Sequence, residues 1–357
     1  MFAGVLARGG VAEEVSGRAW LQALLDFEAA LARAQARERV ITHEQAAAIV
    51  AACAIDHFDV AEIGAGAAEI GNPAGAVVRA LKAAVDAPVH LGATSQDAVD
   101  TAAMLVTKRA LVPLLDDLRG AADAAAALAR AHRDTPIIGR TLLQQAKPTT
   151  FGLKAAGWMT GLDEASANLS HVRLSAQLGG PVGTLDTTVL EPLASDLGLE
   201  APLIPWHTLR GRIGELAGAL GVAAGAVGKA ARDVTLLSQT EVGEVREAAP
   251  GGSTSMPHKR NPVAAISALG CAQQAPALVA TLLAAMVQEH ERAAGAWHSE
   301  WRPLNDLLLT TGSAAAWLRT SLEGLEIDTD RMRTNLGGDD ADTGAAATLV
   351  DRALENR

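Results

Sequence analysis

The sequence predicts an all-α protein built around a bundle of long helices, and three observations predict it. Long stretches carry apolar side chains at the 3.6-residue period with few breakers inside them. The chain is 49% hydrophobic yet has four Phe and no Tyr, so its core is aliphatic and small, which suits closely packed helices. Runs with the alternation of a half-buried strand are few. At 357 residues there is room for one large domain or two to three smaller ones.

Taken in order, residues 11–39 read as one helix, because Trp20, Leu21, Leu24, Leu25, Phe27, Leu31 and Ala34 recur at helical spacing between Arg18, Asp26, Glu28 and Arg33. Thr42 and Gln45 have the spacing of a capping box and open the next helix. Shorter helices are expected at 56–66 and 74–86, punctuated by Pro73 and Pro88. From Pro113 the helices lengthen: 113–133, 148–174 and 208–246, with a turn-rich loop and a short helix near 187–198 between the last two. Residues 262–290 and 303–324 follow, and the tail holds one short helix. This divides the chain into a first helical domain, 1–112, a central long-helix bundle, 113–325, and a short C-terminal remnant, 326–357.

Charge and composition exclude several function classes. The formal net charge is −11, and no basic tract offers a nucleic-acid surface. Cys53 and Cys271 lack metal or redox spacing and read as buried thiols of a reducing compartment. The N-terminus lacks a signal-peptide layout, and no apolar run reads as long and uninterrupted enough for a bilayer, so a cytoplasmic protein without membrane partners is expected. No histidine pair has metal-ligand spacing and no glycine motif follows a strand, so neither metal nor cofactor is expected.

Four islands stand out from this helical background. Gly251–Pro262, GGSTSMPHKRNP, joins hydroxyls, two cations and an Asn-Pro helix start. With Asn261 as N-cap and Pro262 in the first turn, it reads as an anion site, though a solvated Gly/Ser loop has the same composition. His90–Met104, HLGATSQDAVDTAAM, has Thr94 or Ser95 as helix cap and Asp97 and Asp100 in the first turns; capping leaves His90 and Gln96 unexplained. The other two are Gly139–Gly152, GRTLLQQAKPTTFG, and Glu289–Trp301, EHERAAGAWHSEW. In the last, Arg292 and Trp297 point to a site, and helix-end packing would use the same residues.

The first island resembles the signature loop of the aspartase/fumarase superfamily, G-S-S-x-M-P-x-K-x-N-P: Gly252, Ser253, Met256, Pro257, Lys259, Asn261 and Pro262 match, and Thr254 keeps a hydroxyl where a second Ser is usual. His90, Gly92, Thr94, Ser95 and Asp97 match the superfamily's His-x-Gly-x-Thr-Ser-x-Asp element, and Gly-Ala-Thr-Ser-Gln-Asp is similar to the bacterial 3-carboxy-cis,cis-muconate cycloisomerase branch. Arg140, Thr141, Gln144, Ala146, Pro148, Thr149, Thr150 and Phe151 match the remaining region, but Leu142 stands where the lyases carry His. The resemblance runs to about residue 335, after which the superfamily's third domain is largely missing. It implies the superfamily's long-helix fold and a homotetramer with sites shared between subunits. It also implies a catalytic Ser253 on a mobile loop, with Lys259 and Asn261 holding a small polycarboxylate substrate. By the same resemblance His90 joins Ser253 in catalysis, and Thr94, Ser95, Gln96, Thr141, Gln144, Arg292 and Trp297 line the substrate.

Leu142 separates the reactions open to such a site. A lyase expelling an amine, or a hydratase expelling hydroxide, needs a general acid. A lactonising cycloisomerase uses a substrate carboxylate, whose conjugate acid has a pKa of ~4, as nucleophile or leaving group and needs none there. Loss of His at 142 is tolerable for lactonisation, with an adenylosuccinate lyase-like elimination as the alternative. Serine is a weak acid and base; His90 or loop N–H groups are the candidates to tune Ser253.

Overall fold

The computed structural model describes every residue except Thr254, Pro257 and residues 338–340. Its helices in chain order are α1 (Ala3–Leu6), α2 (Val11–Glu14), α3 (Gly17–Arg37), α4 (His43–Ala52), α5 (Val60–Ile70), α6 (Pro73–Ala84) and α7 (Ser95–Ala131). A hairpin of β1 (Pro136–Thr141) and β2 (Gln144–Thr150) leads to α8 (Phe151–Ser170), α9 (Leu190–Leu197) and α10 (Gly211–Leu237). Strand β3 (Val245–Glu247), α11 (Val263–Ala272), α12 (Ala275–Ala284) and α13 (Ala296–Glu323) follow, then β4 (Leu325–Ile327), α14 (Thr329–Leu336) and α15 (Ala346–Glu355). The all-α class holds, with two small antiparallel pairs, β1–β2 and β3–β4.

The framework is α7, α8, α10, α11 and α13, which pack on one another along a core of small side chains. Ala121, Ala122, Ala125, Ala126 and Ala129 of α7 are fully buried, as are Ala217, Ala223, Ala230 and Ala231 of α10. Alanine at these positions lets the axes approach to the short end of the usual interhelical range. Helix α13 runs alongside α7 in the same direction: Trp297 near its start bonds Asp100, and Arg319 near its end bonds Asp116.

Several boundaries differ from the sequence reading for identifiable reasons. The stretch 11–39 breaks at Ser16, whose side chain accepts the Ala19 N–H and restarts the helix as α3. Pro113 does not open a helix; it lies inside the 37-residue α7, and Pro303 likewise lies inside α13. Burial of the flanking Ala110, Leu111, Leu114 and Leu118 outweighs the one N–H a proline withholds. The expected helix from 148 starts at Phe151, because residues 144–150 are a strand, and Thr150 caps it by accepting Leu153 N–H. Helix α10 ends at Leu237 instead of 246, and 262–290 splits at Gln273–Gln274 into α11 and α12, after which the chain is irregular to Gly295. The tail forms two helices, α14 and α15. Gly211–Leu237 and Val263–Ala284 are, contrary to the sequence reading, long and apolar enough to cross a membrane; α10 instead packs against α8, α11, α12 and α13.

Candidate active site

The element around His90 is tied down by Asp97. Its fully buried carboxylate accepts four donors: Thr94 N–H and Gly180 N–H on Oδ2, both at 2.9 Å, and Gly179 N–H at 2.9 Å and His207 Nε2 at 2.7 Å on Oδ1. This fixes the start of α7 against the glycine loop at 179–180, where Gly180 has a φ of +68° and a Cβ would meet Gly92 O at 2.9 Å. Thr94 and Ser95 are half-buried at the rim of that helix N-terminus. Arg292 reaches the same rim, with Nη2 on Gly180 O at 3.2 Å and Pro181 O at 2.9 Å and Nη1 on Gln96 Oε1 at 3.4 Å. A helix N-terminus beside a guanidinium favours an anion.

Gln96 and Trp297, expected to line the substrate, sit below this rim instead. Gln96 is fully buried and its amide donates to His207 O and Asp100 Oδ2. Trp297 is 4% exposed, stacks edge-on against Trp301 and donates Nε1–H to Asp100 Oδ1 at 3.0 Å. Both belong to a buried network around Arg210, which bonds Asp100 and Glu300 at once. Both side chains support the floor beneath the rim.

The signature loop lies at the other end of the bundle. Asn261 is not an N-cap: its backbone exchanges two 2.9 Å hydrogen bonds with Gly251, and the cap position falls on Pro262. The α11 N-terminus, read from sequence as open to a substrate anion, is filled by the chain itself. Buried Glu247 accepts Ala264 N–H and Ala265 N–H at 3.1 and 2.9 Å, and Ser321 Oγ–H at 2.7 Å. The positive charge left for a ligand is on side chains: Lys259 and Arg260 are exposed, with no bonding partner for either side chain among the described residues. Ser253 Oγ accepts Met256 N–H at 3.1 Å and, more weakly, Ser255 N–H at 3.4 Å. The donors beside the Ser253 hydroxyl within this chain are thus these loop N–H groups, with His90 at the other end of the bundle. Thr254 and Pro257 of the motif lie outside the described residues.

The hairpin carries Thr141 and Gln144, paired across a two-residue turn of Leu142 and Leu143. Both leucines have left-handed backbones, with φ of +51° and +64°, and are 96% and 77% exposed. Arg140 anchors the hairpin through a two-point ion pair with buried Glu244, at 2.8 Å for each bond. Glu244 adjoins β3, so Thr141 and Gln144 share the end of the bundle that holds Ser253, Lys259 and Asn261.

The sequence-predicted residues therefore fall into two groups, at opposite ends of the bundle. Helix α7 alone, 37 residues, spans about 55 Å from the His90–Ser95 end to the hairpin end. Sequence reasoning missed Glu28, His207, Arg210, Glu247 and Glu300. The one available signal was a charged residue inside an apolar helical stretch, as for Glu28.

A model of the Lyase family matches residues 8–276. A 3-carboxy-cis,cis-muconate cycloisomerase of Bradyrhizobium diazoefficiens is 47% identical over 355 residues, covering 94% of this chain and 79% of that protein. A nitrosuccinate lyase of Streptomyces davaonensis is 42% identical over 365 residues, covering 94% and 77%. The crystal structure of the 3-carboxy-cis,cis-muconate lactonizing enzyme from Pseudomonas putida superimposes with a TM-score of 0.89 at 40% identity, covering 100% of this chain and 87% of that one. With the motifs, the helical bundle and these likenesses in agreement, the chain belongs to the lyase family of the aspartase/fumarase superfamily.

Proposed function

We propose that the chain is a lactonising cycloisomerase that converts 3-carboxy-cis,cis-muconate to 4-carboxymuconolactone, needs no cofactor, and acts in the cytoplasm. The observation that carries this reading is Leu142 at the hairpin tip. An alkyl group stands where an elimination with a poor leaving group needs an acid, while Ser253, Lys259 and Asn261 are kept. In the reaction a substrate carboxylate oxygen forms a C–O bond to one carbon of the double bond. The π electrons move onto the adjacent carbon and its conjugated carboxylate, and that carbon takes up a proton; nothing is expelled. Lys259 neutralises the carboxylate on which charge accumulates, the kind of electrostatic term that usually dominates. Ser253 transfers the proton, and the N–H groups of Ser255 and Met256 stabilise the oxyanion it leaves. Likeness to the Streptomyces nitrosuccinate lyase favours a second reading, elimination of a stabilised anion that also needs no acid at 142. Ultraviolet absorbance separates the two: the conjugated diene of carboxymuconate should be consumed. Fumarate formation from nitrosuccinate or adenylosuccinate, with the diene untouched, would overturn the first reading.

The working unit is a homotetramer in which the half-site of one copy meets the complementary half-site of another. Supporting this are the length of α7 and the apolar surface left uncovered in one chain: Val222 on α10, Val263 and Ile266 on α11, Leu283 on α12, and the Leu142–Leu143 tip. Sedimentation velocity should give a species of four copies; a fully active monomer would defeat the proposal.

A further inference from the structure

Helix α3 holds the His90 turn with three side chains. Phe27 packs edge-on against the His90 ring, with centroids 6.3 Å apart. Gln35 donates to Leu91 O at 2.7 Å, and Glu28 Oε1 lies 2.6 Å from His90 Nδ1. Residues 28 and 35 are two helical turns apart on one face of α3, so a single rigid element sets the geometry. The turn needs setting, because His90 has a φ of +62°, a conformation that persists when its surroundings over-determine it and that concentrates at functional sites.

Glu28 is an unusual core residue. It is 2% exposed, lies among Leu24, Leu25 and Leu31, and its second oxygen is buried without a partner among the described residues. A buried carboxylate is costly unless a cation answers it, and the His90 ring is the one partner Glu28 has among those residues. The other ring nitrogen, Nε2, bonds nothing among the described residues, while 12% of the His90 side chain reaches the surface. The exposed position lies just ahead of the α7 N-terminus at Thr94.

We infer that Glu28 is a positioning residue for the reaction: it grips Nδ1, fixes the orientation of the His90 ring, and leaves Nε2 as the atom that meets a substrate carboxylate. The inference deepens the cycloisomerase reading and rests on His90 as a site residue. The charges around the ring divide between the two signs, with the carboxylates dominant. Burial opposes the charged ring, but the charge and hydrogen bond of Glu28, with Asp97 on α7 adding to them and Lys82 on α6 opposing, hold the His90 pKa above the usual histidine value.

The test is Glu28→Gln, with Glu28→Asp beside it, read by the pH dependence of kcat/KM and by histidine NMR titration, the His90 signal assigned with His90→Gln. A raised histidine pKa keeps the ring charged at low pH and releases the proton as pH rises through the folded value. With Glu28 neutral, burial acts unopposed by that carboxylate, so the alkaline limb should move to lower pH. kcat/KM at slightly alkaline pH should then fall by roughly tenfold, one decade of titration, and converge on the parent value at acid pH. Glu28→Asp should recover part of the loss. A uniform loss at every pH, or an unchanged His90 titration, would overturn the inference. If neither parent nor variant consumes the diene but the titration moves as stated, the cycloisomerase reading fails and the Glu28–His90 pair stands.

Discussion

Ser253→Ala should lower kcat by roughly 10²–10⁴-fold with little change in KM, the range for loss of a group that moves a proton in the transition state. That is about 3–5 kcal/mol of transition-state stabilisation. The change removes one hydroxyl and little volume. It also frees the Met256 and Ser255 N–H groups in a loop already open to solvent, so the fold should be unaffected by circular dichroism. Lys259→Met keeps the aliphatic stem and removes the cation. KM should rise because a substrate carboxylate loses its partner, and kcat should fall because negative charge grows on the same oxygens during reaction. Near-normal turnover in Ser253→Ala would remove Ser253 from proton transfer and leave His90 as the donor.

The largest stability effect should come from Arg210→Met. Arg210 is 3% exposed and bonds Asp100 at 2.7 and 3.1 Å and Glu300 at 3.0 and 2.5 Å, with the Trp206 ring 4.8 Å away. Methionine fills similar space but leaves two carboxylates buried without their cation, a defect that costs about 3–5 kcal/mol when one partner of a buried pair is removed. The pH dependence gives a second signature. Burial pushes the Glu300 pKa up and Arg210 pulls it back, leaving it above the usual glutamate value. Its proton is therefore bound more tightly in the folded state, and Glu300 costs stability as pH rises from the unfolded value through the folded one. Without Arg210 that folded value climbs further, so the deficit seen by urea unfolding at neutral pH should shrink as the pH is lowered towards 5. A deficit that does not change with pH would point to packing alone.

The local signals in the sequence were reliable where one turn of chain decides the outcome. Thr42 and Gln45 make both bonds of the expected capping box. They failed where packing overrides a breaker, at Pro113 and Pro303. They also failed at the hairpin, whose turn has two leucines in place of the Asn-Gly or Gly-Gly that would announce it. For the site, the motif islands named residues but not the side they face. Nothing local distinguishes Ser95 at the rim from Gln96 in the floor one residue later; the difference comes from Asp100 and His207 beneath. Arg210 and Glu300 carried no signal, because their partners are 110 and 90 residues away in sequence.

A site assembled from opposite ends of α7 in different copies, as proposed, has a consequence for inheritance. In the proposed assembly a chain damaged at His90 still lends an intact Ser253 end to a neighbour, and a chain damaged at Ser253 still lends its His90 end. Two alleles, each inactive by itself, would then share an assembly in which some sites are built wholly from sound halves. A defect in the Arg210 floor would not be shared out in this way, because it weakens the fold of the chain that carries it.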